Sequence, residues 1–234
     1  MTTRRPAVQP QAPSGSKPPL DTLPTELALV TASIAIALFT LITLLVQMRL
    51  LTGADLAFTL AAQQLAGPLL DAAATVTGIA AASQMSILYC LVACLLLWCA
   101  GLGIWSLAPA TFLLGTVLEV VMKLTIQQPT VPEQFHRSAY YPFLSVDLNG
   151  SFPSGHALRT AFFCTFVAVL LWSHGSRRWR LAAVAVGMLQ LPVGFTRVYV
   201  GDHWLTDVVA GLLIGSALAL LSAPPVARRL APRS

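Results

Sequence analysis

The chain has 234 residues, of which only 10% are charged, against about 25% in soluble domains. With a mean hydropathy of +0.74, that composition excludes a soluble globular domain. The formal net charge is +5, yet no basic stripe is interleaved with a recognition motif, so nucleic acid is excluded as a partner and the excess reads as membrane-surface charge.

The pattern predicts an all-α, polytopic membrane bundle of about six transmembrane helices. Residues 1–25 are Pro-rich and polar, an expected disordered tail. The uncharged run 27–47 is long enough to cross a bilayer. No cleavage pattern precedes it, so it is expected to stay as an anchor. The stretch 52–83 is Ala-rich but carries Asp55, Gln63, Gln64 and Asp71. It reads as an interfacial or amphipathic segment. Spans follow at 85–103 and 106–124, with a turn expected between Gly101 and Pro109, where glycines and a proline break helices. The last three spans are 154–172, 181–199 and 205–222, and 223–234 reads as a basic tail. The membrane domain is thus 26–222.

Basic residues set the orientation. Arg4, Arg5 and Lys17 precede the first span, Arg177, Arg178 and Arg180 follow the fourth, and Arg228, Arg229 and Arg233 follow the sixth. An even number of spans puts all three groups on one side, which the positive-inside rule makes cytoplasmic. Arg49 is the exception. Cys90, Cys94, Cys99 and Cys164 all lie in apolar spans and read as small packing residues.

Ionisable groups at membrane depth are functional candidates. On the predicted topology Lys123, His156, Arg197, His203 and Asp207 come from four helices and collect at the outer rim. His203 and Asp207 are four apart, which puts imidazole and carboxylate on one helix face. A carboxylate that holds one ring nitrogen leaves the other free to attack. Arg197 offers a planar fork for phosphate oxygens. In Pro153-Ser154-Gly155-His156, Ser154 is a favoured helix cap, and Gly155 lets a backbone N–H approach a ligand. Helix N-termini bind anions. Ser154, Gly155 and His156 therefore read as the floor of an anion pocket, with His156 placed to protonate a leaving oxygen.

Together these stretches resemble the type 2 phosphatidic acid phosphatase family of membrane lipid phosphatases, relatives of the vanadium haloperoxidases. The family's Pro-Ser-Gly-His motif is complete at Pro153 to His156. Its Ser-Arg, five residues, His, three residues, Asp motif matches at Arg197, His203 and Asp207, with Thr196 in place of serine. Its Lys, six residues, Arg-Pro motif departs: Lys123 is present, but Thr130 and Val131 stand where Arg-Pro would be. The resemblance covers 120–215. Two arginines are candidates to restore the lost charge. Arg159 lies one turn beyond His156, with an ion pair to Glu119 as the competing reading; Arg137 lies in the outer loop, where a solvated charge competes.

The resemblance implies a phosphatase in which His203 attacks phosphorus and forms a phosphohistidine. Asp207 would orient His203, and His156 would protonate the leaving group and then activate water. Lys123, Arg197, Ser154 and Gly155 would hold the phosphoryl oxygens. The implied substrate is a lipid phosphate or diphosphate, with an isoprenoid diphosphate such as undecaprenyl diphosphate favoured over phosphatidic acid and phosphatidylglycerol phosphate. The compact six-span form implies a bacterial plasma membrane, with both termini cytoplasmic and the site on the outer face. Neither metal nor other cofactor is expected, and oligomeric state stays open. Two other readings also stay open: a metal-dependent hydrolase with His156, His203 and Asp207 as ligands, and a non-catalytic lipid-phosphate binding or transport protein. Trp204 is a candidate lipid-tail contact, and Asp202 is either a modulator of His203 or a helix-start charge. His136 reads as a loop histidine, and His174 as remote from the site.

Overall fold

The computed structural model describes residues 23–137 and 150–230. Nearly all of the expected N-terminal tail, and part of the 124–152 loop, lie outside the described residues. Among those described there is no strand.

Helix α1 spans Thr25–Gln47, with Glu26 in the first turn, where negative charge suits the helix dipole. It is antiparallel to the last helix. Ala28, Ala32 and Ala35 form its buried stripe, with Ala32 and Ala35 packed on Ala217. Small residues at this spacing let two backbones come close inside a membrane. The opposite faces carry Leu41 and Leu44, each more than half exposed, as lipid contact requires. The helix ends in a paired-carbonyl cap: Arg49 N donates to Val46 O at 2.8 Å and Leu50 N to Leu45 O at 3.0 Å. Such caps place a left-handed residue, usually glycine, just past the helix. Here that residue is Arg49, at φ 58°.

Helices α2 (Thr52–Gln63) and α3 (Pro68–Ala80) follow at the same end of the bundle. Helix α4 (Ser83–Cys99) continues from α3 across a 54° bend. Segment 52–83 forms two helices, each with a narrow buried stripe, and they wall the site. Glycines at φ 80° (Gly101) and 56° (Gly103) make the expected turn. A 3-10 stretch, Gly103–Thr111, leads into α5 (Phe112–Thr125). Pro109 lies inside it and lacks the N–H that a regular α-helix would use there.

The central pair is α6 (Gly155–Trp172) against α9 (Leu205–Leu230). A Cβ at Gly211 would lie 2.5 Å from Ser154 O, and one at Gly215 would overlap Leu158 O. The pair Gly211 and Gly215, four apart, thus brings α9 onto the backbone of α6. Between them run α7 (Arg177–Met188) and α8 (Gln190–Tyr199), which sequence reading takes as one span, 181–199. The break falls at Leu189 because Pro192 cannot donate to Met188 O. Helix α9 also runs eight residues past the expected end at 222. Ala223, Pro224, Val226 and Ala227 are almost fully buried in the core with Phe162 and Phe166. Residues 223–230 are therefore helix and core, not tail. Arg228 bonds Thr25, and Arg229 lies 4.0 Å above the Trp105 ring, which fixes one end of the bundle.

Among the described residues, five segments are long and apolar enough to cross a membrane: Thr25–Gln47, Gly103–Thr125, Gly155–Trp172, Arg177–Tyr199 and Leu205–Leu230. The bent α3–α4 pair, counted as one broken span, makes a sixth. All four cysteines are free, and Cys90 and Cys94 Sγ are 3.9 Å apart.

Candidate active site

The site forms where the N-termini of α6 and α9 meet. Ser154 caps α6, its hydroxyl accepting from Ala157 N at 3.4 Å. Ser154 N donates to Asp207 O at 2.9 Å, so the two motif-bearing helices are joined through their backbones. Gly155 lies against the Glu119 carboxylate so closely that no side chain fits at that position.

His203 sits in the turn before α9. Its Nδ1 is 3.5 Å from Asp207 Oδ2 and 3.4 Å from Ser151 Oγ. The Ser151 hydroxyl donates to Asp207 Oδ2, which also accepts from Trp204 N at 2.9 Å. A hydroxyl has one proton. With that proton on Asp207, Ser151 can only accept from His203, which places the ring proton on Nδ1 and the lone pair on Nε2. Asp207 is fully buried. Sequence reasoning missed Ser151, although it stands two residues before the Pro-Ser-Gly-His motif.

Arg197 is fully buried too. Its Nη1 pairs with Asp202 at 2.9 Å. Its Nη2 reaches Ala74 O at 2.5 Å and Thr77 Oγ1 at 3.4 Å, both on α3. Thr196 Oγ1 lies 2.8 Å from Thr77 Oγ1. The turn between α8 and α9 folds back on the carbonyl of Arg197, which accepts from Asp202 N and His203 N at 3.0 and 3.3 Å. Gly201, at φ 80° and packed against Phe135 O, permits that reversal. Asp202 is thus the ion-pair partner of Arg197.

Lys123 ends α5 and pairs with Glu119 at 3.1 Å. Arg159 pairs with the same carboxylate at 2.9 Å and reaches Ala81 O at 3.4 Å. The competing sequence reading of Arg159, an ion pair with Glu119, is the arrangement found. Arg137 is engaged elsewhere: it pairs with Asp71 at 3.1 Å and lies 5.0 Å above the Tyr199 ring. It is a partly exposed, ion-paired charge, and it is not bonded to a site residue. Lys123 and Arg159 meet on the Glu119 carboxylate that lies against Gly155, while Ser154 N bonds Asp207 O, His203 Nδ1 approaches Asp207 and His203 N bonds Arg197 O, so the structure brings these groups to one end of the bundle.

Asp55 was also not legible. Its Oδ1 accepts from Thr206 N at 2.9 Å and its Oδ2 from Thr206 Oγ1 at 2.7 Å. A residue on α2 therefore caps α9 from 151 positions away. Burial pushes the Asp55 carboxyl above its ordinary range, against the lowering effect of the Thr206 bonds. A polar stripe in an otherwise apolar helix, Asp55, Thr59 and Gln63 at steps of four, was the available signal. Trp204 is buried and donates to Pro129 O at 2.8 Å, so it anchors the loop after α5 rather than facing a lipid tail. His136 Nε2 lies 2.8 Å from Val131 O, and His174 stacks on Trp179 at the far end of α6. Among the described residues, no group of three or more His, Cys, Asp or Glu is gathered closely enough to hold a metal ion.

The profile of the PAP2 superfamily matches residues 103–230, more than half of the chain. Lipid A 1-phosphatase of Rhizobium johnstonii is 37% identical over 101 residues, 42% of this chain and 38% of that protein. Phosphatidylglycerophosphatase B of Bacillus subtilis is 35% identical over 74 residues, 30% of this chain and 36% of its own length. Undecaprenyl-diphosphatase of Sulfolobus acidocaldarius is 40% identical over 72 residues, 31% of this chain and 32% of that one. The matched stretch thus spans less than two fifths of each of these relatives. The solved structure of a transmembrane PAP2 type phosphatidylglycerolphosphate phosphatase from Bacillus subtilis superposes with a TM-score of 0.69 at 22% identity, covering 82% of this chain and 94% of that one. The shared fold is that of a transmembrane helical phosphatase.

Proposed function

Because the chain belongs to the PAP2 superfamily, we propose that it is a membrane lipid phosphatase working through a phosphohistidine. The observation that carries this reading is the state of His203: Ser151 and Asp207 take its Nδ1 side, which leaves Nε2 as the nucleophile. Nε2 attacks phosphorus, the bond to the leaving oxygen breaks, and His156 supplies the proton that oxygen needs. Water then attacks the phosphohistidine, His156 takes its proton, and phosphate leaves. Asp207 balances the charge on the imidazole in both steps.

Lys123, Arg197 and the amides at Ser154 and Gly155 hold the phosphoryl oxygens. Fixed donors of this kind supply most of the catalysis in phosphoryl transfer. Arg159, paired with Glu119, and Arg137, paired with Asp71, act on this reading as positioning residues. No metal enters the scheme; clustered cations serve the charge instead.

The substrate class is a lipid with a terminal phosphate or diphosphate, met at the membrane rim, and an isoprenoid diphosphate is favoured. The relatives named for lipid A, phosphatidylglycerophosphate and undecaprenyl diphosphate are consistent with that class. The end of the bundle bearing the site lies opposite Arg177, Arg178, Arg180, Arg228 and Arg229. By the positive-inside rule it faces outward, with both termini in the cytoplasm.

The test is phosphate release from undecaprenyl diphosphate, phosphatidic acid and phosphatidylglycerol phosphate by purified protein in excess EDTA, beside His203→Ala. Release by the wild type alone is expected, with an acid-labile phosphoprotein trapped on rapid quench. Activity that vanishes in EDTA, or survives in His203→Ala, would sink the mechanism.

A further inference from the structure

The sequence leaves a charge missing at Thr130, and the two arginines considered for it both carry ion pairs, Arg159 with Glu119 and Arg137 with Asp71. Arg49 is different. Among the described residues its guanidinium is paired with no carboxylate.

Its backbone is unusual too. At φ 58° it fills a helix-ending position that glycine fills without steric penalty. A side chain held in such a conformation points to a role for that side chain.

Arg49 lines a cavity of about 610 Å³ together with Lys123, Thr52, Gln127 and Trp204, within the range of about 300–1,000 Å³ usual for small-ligand sites. Lys123 belongs to the proposed phosphate clamp, and Trp204 follows His203, so the cavity adjoins the reaction centre. Its charge is positive. Glu119 is shared between Lys123 and Arg159, which leaves that trio one positive charge in excess. The lining carboxylate, Asp55, offsets one positive charge, and both its oxygens are turned to Thr206. Arg49 adds a second positive charge.

Resting on the phosphatase reading, we propose that this cavity is a second anion subsite, in which Arg49 recognises a further phosphoryl group on the head of the substrate. The chemistry it selects is a lipid head with two linked anionic groups, a diphosphate above all, over a head with a single phosphate. Arg49 is thus a specificity residue, and it lies outside the motifs that carry the reaction.

The experiment compares wild type with Arg49→Ala, Arg49→Gly and Arg49→Lys on undecaprenyl diphosphate and on phosphatidic acid. Loss of one charge-assisted contact should lower kcat/KM for the diphosphate by at least about tenfold more than for the monophosphate. Arg49→Gly relieves the backbone conformation, so it should melt no lower than wild type yet show the same selective loss. Arg49→Lys should recover part of it. Equal losses on both substrates, or none, would overturn the proposal. Calorimetry with inorganic diphosphate and inorganic phosphate on the full chain in detergent separates this inference from the reaction. Tighter diphosphate binding that Arg49→Gly abolishes is expected even if turnover fails, and that failure would then fall on the phosphatase reading alone. Equal affinity of the two anions for the wild type would refute the subsite directly.

Discussion

Ser151→Ala tests the tautomer argument at its centre. The substitution removes one hydroxyl, which donates to Asp207 and lies 3.4 Å from His203 Nδ1. Asp207 is fully buried and keeps one donor on the same oxygen, the Trp204 amide at 2.9 Å. A hydrogen bond to an ionised group contributes about 1.5–3 kcal/mol. At about 1.36 kcal/mol per tenfold in rate, full expression in the transition state would lower kcat by about 10- to 150-fold. The remaining Trp204 donor and the direct approach of His203 place the expected loss at the lower end, about 10- to 30-fold. KM should move little, because Ser151 meets the histidine and not the lipid. The assay is steady-state phosphate release with a parallel thermal melt in the same detergent. A variant with kcat within about twofold of wild type would refute the claim that Ser151 fixes the ring proton. A lowered melt with unchanged kcat would make the residue structural only.

Gly211→Ala and Gly215→Ala should each cost about 1–3 kcal/mol of stability, because the added methyl meets backbone carbonyls that cannot yield. Gly211→Ala should also lower turnover more than Gly215→Ala, since it displaces Ser154 itself; equal turnover in the two would break the link between helix approach and site geometry. Asp55→Asn should change the pH dependence of stability. Burial raises the Asp55 carboxyl, so its contribution is complete below the ordinary carboxylate range and is lost as the pH climbs through the raised value. The melting temperature of wild type minus that of Asp55→Asn should therefore fall as the pH rises, and a flat difference between about pH 4 and pH 8 would contradict this. Glu119→Gln should destabilise the protein by about 3 kcal/mol, since it strands Lys123 and Arg159. Millimolar inorganic phosphate should raise the melt of this variant more than that of wild type; no such rescue would show that the two cations do not face the anion pocket.

The spans were legible because long uncharged runs have one physical solution in a bilayer. The main departures came from tertiary packing. Residues 223–230 look like a basic tail, yet Val226 and Ala227 are buried against the aromatic core. The single run 181–199 breaks at Leu189, where a proline signal was available. His203, Asp207, Arg197 and Ser154 were readable because they stand in two short motifs, within a few residues of one another in each, at the ends of α6, α8 and α9. Ser151, Asp55 and Thr77 were not, because their partners lie 56, 151 and 120 positions away. The charge balance around Arg197 shows the same limit: Asp202 is five residues off, but only the fold shows that it faces the guanidinium.

The residues that match the superfamily begin at 103, yet they are not a self-sufficient module. Helix α9 starts under a cap from Asp55, and Arg197 is held by the Ala74 carbonyl and the Thr77 hydroxyl. The leading third of the chain thus acts as a jig for the reactive half. A chimera that grafted 103–230 onto the leading helices of a relative would carry every motif residue. It would lack the geometry unless the donor brought a carboxylate facing Thr206 and a carbonyl facing Arg197. Change in the two halves is therefore coupled at these few contacts, and natural exchange of the N-terminal helices among such proteins is constrained there first.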